Sequence, residues 1–227
     1  MSLYQLLTWM SPSYPIGAFS HSGGLEWAVE AGFVRDRAGA QAWIGDMLAH
    51  GAGWNDCVFF VHAYRATREN DQPRLLEIAT LAVAAQTSAE RRLESTAQGA
   101  AFRRIASATA STPALGMLAD IADEDLPYPV IAGCLMAGHD VPLSDGLLAY
   151  LHGLAANLVS AGQRLVPLGQ TDAQLILAAL APLVHDILAR ALRLGDGDAF
   201  EEMRAAALMA DFATMAHETQ YTRLFRT

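Results

Sequence analysis

No stretch of this chain alternates polar residues with Val, Ile and Thr for long enough to make a strand, and almost every segment after residue 20 carries helical spacing between clear stop signals. That pattern leaves little choice of fold class. Ser2 is placed to cap a short first helix through Met10, and Ser22 to Ala31 reads as a second helix closed by Gly32. Asp36 caps a helix to about Ala49, with Trp43, Ile44, Met47 and Leu48 along one side. Asn55 or Asp56 caps the next, through Arg68, and Pro73 suits the first turn of the one after it. Residues 74–87 form an apolar helix and Ser88 to about Ala108 a more polar one. Ser111-Thr112-Pro113 restarts the chain, and the acidic loop Asp123 to Pro129 is the best candidate for a structural break. Pro142 to Asp145 opens a long helix holding Gly146 to Arg164. Thr171 or Asp172 caps another that ends near Gly195, and Ala199 to Ala213 follows a Gly195–Asp198 turn. The expectation is an all-α, single-domain helical bundle of about ten helices over residues 1–227. Segment 1–20 and the non-periodic tail 217–227 have the composition of segments that can order on meeting a partner.

The chain is 227 residues long, 52% hydrophobic and 17% charged, so either its core is large or apolar surface is kept for partners. It contains no lysine, and its 15 basic residues are all arginine. A Walker A phosphate loop and a Schiff-base enzyme both need that lysine, so neither is possible here in its usual form. A net charge of −9 argues against a nucleic-acid binder, which needs basic surface to displace counterions. Cys57 and Cys134 are isolated thiols with no disulfide framework, and the N-terminus lacks the pattern of a signal peptide, so a cytoplasmic setting is expected. Gly146 to Gln163 is the nearest approach to a membrane span. Its His152, Asn157 and Gln163 make it a buried helix, and no membrane partner is expected.

The seven histidines fall in no zinc-type spacing, and Cys57 and His62 are out of phase on a helix, so no metal site and no cofactor is assigned. His21, in the loop described next, is the histidine whose role stays open. Gly195-Asp196-Gly197-Asp198 looks like a fragment of a calcium loop but lacks the other ligands and reads as a turn. Ser20 and Ser22 flank His21 without a nucleophile elbow. Arg91/Arg92 and Arg103/Arg104 lie about three helical turns apart, beside Glu90 and Glu94, and read as an internally paired, solvated face. Nothing forms a self-contained active site, so the chain is not expected to be an enzyme.

Two segments stand out instead. Ser11-Pro12-Ser13-Tyr14-Pro15-Ile16-Gly17-Ala18-Phe19-Ser20-His21-Ser22-Gly23-Gly24-Leu25-Glu26 is a loop fixed by proline and glycine that still carries two aromatic rings. His217-Glu218-Thr219-Gln220-Tyr221-Thr222-Arg223-Leu224-Phe225-Arg226 combines aromatic and arginine residues, the types enriched at binding hot spots. It is either a tether across the protein's own surface or a partner-binding arm. With Ser160 to Gln174 between them, containing Arg164-Leu165-Val166-Pro167-Leu168-Gly169-Gln170-Thr171-Asp172, these segments together resemble the UreF family of urease accessory proteins. The loop is similar to the family's S-x-x-x-P-[IV]-G-x-[FY]-S-x-S-x-G-L-E pattern.

The resemblance implies an all-helical homodimer that binds UreD (also called UreH) and recruits the nickel-carrying GTPase UreG. That assembly activates apo-urease by delivering nickel to its carbamylated-lysine site, with the UreF subunit as a non-catalytic scaffold. It also implies partner-contact roles for Ser20, Glu26, Gln170, Thr171, Tyr221, Arg223 and Arg226. An alternative the family raises is regulation of the UreG GTPase in trans, with Arg223, Arg226 or Glu26 as candidate groups. An internal route for nickel through the complex has also been proposed for the family; His21 falls at a position that the pattern leaves open.

Overall fold

The computed structural model describes residues 3–204 and 206–227. Twelve α-helices run through them: α1 (Leu3–Trp9), α2 (Leu25–Glu30), α3 (Arg37–His50), α4 (Ala52–Arg68), α5 (Gln72–Ala84), α6 (Ala89–Thr109), α7 (Pro113–Gly116), α8 (Tyr128–Gly138), α9 (Leu143–Leu165), α10 (Gln170–Ala191), α11 (Ala199–Glu202) and α12 (Leu208–His217). Two short 3-10 turns, Ala18–Ser20 and Asp123–Asp125, complete the described secondary structure, and there is no strand among the described residues.

The centre of the bundle is the pair α4 and α8. Cys57 to Val61 of α4 and Val130 to Met136 of α8 are buried on every side, as a helix that is apolar all round must be. The two backbones approach closely because Gly133 faces α4, where a Cβ would lie 2.6 Å from the Phe60 carbonyl oxygen. The Asp123–Pro129 stretch is therefore a tight corner into α8 and not a break. Gly99 of α6 packs against it so closely that a Cβ would fall 2.0 Å from the Leu126 carbonyl oxygen. Helices α3, α5, α9 and α10 surround the pair. The uncharged Gly146–Gln163 run lies in α9, with Leu147, Leu151, Leu158 and Val159 buried. Among the described residues, the one helix long and apolar enough to cross a membrane by length and composition is α10. It packs on α3 and α9 through Ile176, Leu180, Val184 and Ile187.

Caps fall where short polar side chains precede apolar runs. Asp36, Asp71, Ser88 and Asp198 accept bonds from the first turns of α3, α5, α6 and α11. The structure corrects four boundaries. Asn55 and Asp56 lie inside α4, which starts at Ala52 straight after Gly51, because both side chains are used for tertiary bonds. The second helix starts at Leu25 and not Ser22, since Gly23 and Gly24 both take positive φ (59° and 82°) and turn the chain first. At Gly24 a Cβ would also sit 2.7 Å from the Thr214 backbone nitrogen. Helix α10 is opened by Gly169, whose N–H donates to Asp172 three residues on, rather than by Thr171 or Asp172 as cap. The expected Ala199–Ala213 helix is two helices. Between them Arg204 exchanges two bonds with the Asn55 side chain and Trp54 donates to the Glu202 carbonyl, so these backbone groups are satisfied by α4 instead of by a helical turn. The expected cap at Ser2 lies outside the described residues.

Candidate functional site

Glu26, in the first turn of α2, is the point on which the N-terminal loop and the C-terminal tail converge. Its two oxygens accept from the backbone N–H groups of Leu224 (2.6 Å) and Phe225 (2.9 Å), and one also lies 3.0 Å from Nε2 of His217. The other nitrogen of the His217 ring, Nδ1, is 2.7 Å from a carboxylate oxygen of Glu90, at the start of α6, and Arg223 donates to Glu90 at 3.0 Å. The ring thus bridges two carboxyl groups, and the Arg223 guanidinium adds a third partner to the network at Glu90. Glu26, Glu90 and His217 are buried, so loss of any one leaves the others uncompensated.

Beyond Glu26 the tail runs alongside the loop. The Arg226 N–H donates to the Ser20 carbonyl (2.8 Å), the Ser22 N–H to the Thr227 carbonyl (2.6 Å), and the His21 ring meets the Thr227 hydroxyl (2.7 Å). Burial lowers the His21 pKa below its ordinary value. Arg164, in the last turn of α9, stacks between two rings, 3.6 Å from the centroid of Phe19 and 4.1 Å from that of Phe225. Phe225 is buried, while Phe19 and Leu224 are each 65% exposed and Tyr221 is 103% exposed. The junction thus presents apolar groups outward, with arginines at their edge.

The residues singled out in the sequence separate into two kinds. Ser20, Tyr221, Arg223 and Arg226 are exposed along the loop and tail, although the Ser20 hydroxyl is engaged by the Gly17 carbonyl (2.7 Å). Glu26 is buried and fully occupied inside the fold. Gln170 and Thr171 are exposed at the start of α10, where Gln170 accepts from Gln163, the neighbour of Arg164. The end of α9 is therefore what brings the second segment to the other two. Sequence reasoning passed over Arg164 and Glu90. Arg164 had a signal, an arginine within the middle segment while aromatic residues sit in both outer ones. Glu90 had none, since its partner His217 is 127 positions away.

Beneath the loop, the Arg91 and Arg92 pair divides. Arg92 reaches Asp125 at the surface, whereas Arg91 is buried against Glu94 at 2.6 Å, so this part of α6 is a polar interior and not a solvated face. Asp56 joins the same region, accepting from the Tyr150 hydroxyl (2.8 Å), and burial pushes its carboxyl up to about 6. Arg91 Nε and Ser95 Oγ have no protein hydrogen-bond partner and face a cavity of about 60 Å³. A second cavity of about 20 Å³ lies on the far side, and Asp56 and Arg91 stand in the walls of both. Elsewhere the Gly195–Asp198 turn has its carbonyls taken by Arg65 and Arg74, as a plain turn would. Among the described residues no group of three or more His, Cys, Asp and Glu side chains is disposed to hold a metal.

Comparison of the chain with known proteins finds one family model and a set of relatives. A model of the family described as UreF matches residues 34–181. The chain is 50% identical over 226 residues to the urease accessory protein UreF of Rhodopseudomonas palustris (strain HaA2), covering 100% of this chain and 94% of that one. It is 49% identical to the urease accessory protein UreF of Bradyrhizobium sp. (strain ORS 278) and 45% identical to that of Bradyrhizobium diazoefficiens, covering 100% of this chain and 92% of each relative.

Proposed function

The chain belongs to the UreF family of urease accessory proteins, and from that premise we propose that it is the scaffold that joins UreD (UreH) to the GTPase UreG during delivery of nickel to apo-urease. As a family member it is a non-catalytic accessory factor of urease maturation. The observation that carries the finer reading is the loop–tail junction. Exposed Phe19, Leu224 and Tyr221 with Arg223 and Arg226 at their edge have the composition of a binding hot spot, held in place by the buried Glu26–His217–Glu90 network. Ser20, Tyr221, Arg223 and Arg226 make the contacts. Glu26 acts from inside by fixing the tail, and Gln170 and Thr171 extend the surface along the start of α10.

Self-association into a homodimer has a separate face to use, the apolar groove between α1, α9 and α10 that is lined by Leu3, Leu7, Leu148, Leu177 and Ala181. An internal route for the ion would draw on the two cavities that share Asp56 and Arg91 in their walls. The work is placed in the cytoplasm. The second reading, regulation of the UreG GTPase in trans, draws on Arg226, exposed at the junction; Glu26 is too enclosed to orient a water there.

The test is size-exclusion chromatography with light scattering on this chain alone and mixed with UreD and UreG. A dimer that takes both partners into one complex is the expected result, and failure to associate with UreD overturns the reading. A steady-state GTPase rate unchanged by the assembled complex removes the regulatory alternative.

A further inference from the structure

We infer that Arg164 is a positioning residue whose guanidinium, stacked between Phe19 and Phe225, makes loop 17–22 and tail 224–227 order as one unit. Taken with the scaffold reading above, on which this step rests, the partner surface is then presented whole or not at all. The guanidinium carbon lies over both rings, 3.6 Å from the Phe19 centroid and 4.1 Å from that of Phe225, while Nη2 donates to the Phe19 carbonyl at 2.7 Å. One ring belongs to the loop and the other to the tail, and the cation between them stands on the last turn of a core helix. The bonds that join loop to tail directly are the main-chain bonds Arg226 to Ser20 and Ser22 to Thr227, with the His21 ring on the Thr227 hydroxyl beside them. They persist only while both strands stay in register, and Arg164 is the group that holds each strand to α9. A lysine is a poor replacement, because its compact, strongly hydrated ammonium lacks the planar guanidinium that stacks on aromatic rings.

Amide hydrogen exchange on the full chain, without any partner, reads this directly at Ser22, Leu224, Phe225 and Arg226, whose N–H groups close the junction. Loss of both stacked faces in Arg164→Met or Arg164→Lys is expected to speed exchange about tenfold at the loop amide and the tail amides alike. The interior amides of α4 and α8 and the melting temperature stay as they were. Unchanged exchange, or a loosened tail beside an unchanged Ser22, overturns the inference. A cycle of Phe19→Ala and Phe225→Ala, read by the same exchange, is expected to be non-additive in the natural chain and additive in the Arg164→Met background. Additivity in the natural chain overturns the coupling, and this arm holds even if one Arg164 variant fails to fold. Affinity for UreD, measured on the same variants, keeps the two claims apart. A natural chain that does not bind UreD defeats the scaffold reading alone, whereas variants that loosen the junction and lose UreD affinity together support both.

Discussion

Asp56 shows how one side chain sets a pH response for the whole fold. Its carboxyl is raised from 3.8 to about 6, mainly by burial, so the folded chain holds this proton more tightly than the unfolded chain. As pH rises from 3.8 to about 6 the Asp56 contribution to stability therefore falls, and above 6 the buried charge remains a constant cost. A rise of that size corresponds to about 3 kcal/mol. Asp56→Asn, which keeps an acceptor for Tyr150, is therefore expected to raise stability at pH 7.5 by up to that amount. Its advantage over the natural chain should shrink toward pH 4, as urea unfolding across this range would show; an equal difference at both ends contradicts the assignment. Glu26 is instead engaged by His217 and by two backbone N–H groups. Glu26→Gln is expected to cost about 3–5 kcal/mol and to release the tail, with faster exchange at Leu224 and Phe225.

At the scale of elements, the close approach of α6 to the corner before α8 depends on one missing side chain. A Cβ at Gly99 would fall 2.0 Å from the Leu126 carbonyl oxygen, which is backbone and cannot swing aside. Gly99→Ala is expected to lose at least about 1–3 kcal/mol, whereas Gly116→Ala, with nothing within 4 Å of the new carbon, should be neutral or slightly stabilising. Paired urea midpoints compare the two. Elements whose ends are set locally were legible in the sequence. Asp36, Ser88 and Asp198 cap through neighbours two or three positions on. Elements whose ends are set by distant partners were not legible. The chain leaves the helix after Glu202 because Trp54 and Asn55, about 150 positions away, take up the Glu202 carbonyl and the Arg204 backbone groups. Asp56 looked like a cap because nothing near it in the chain reveals Tyr150, 94 positions on. The loop and the tail could be marked as unusual, and their resemblance to a family seen, but the buried Glu26–His217–Glu90 network joining them could not.

The molecule as a whole divides its work between an apolar bundle and one polar seam. The α4–α8 core fixes the scaffold, and the seam, from Asp56 through Arg91 and Glu94 to His21 and Glu26, lies under the loop and tail that the scaffold presents. Such a division suits a protein that handles other proteins: its exposed groups are replaceable at little cost to the fold, while the groups behind them are not. Cys57 and Cys134 belong to the inert part, since both are buried and burial pushes both thiols up, Cys134 to about 11. Alkylating reagents are expected to leave the folded chain unmodified and to label both thiols only after unfolding, by mass spectrometry. The most direct test of the scaffold reading uses surface residues that the fold does not need. Tyr221→Ala combined with Arg226→Ala should leave the melting temperature unchanged and weaken UreD binding by about tenfold or more, as removal of exposed hot-spot groups does. An unchanged Kd for UreD in that double variant would contradict the claim that the loop–tail junction is the partner surface.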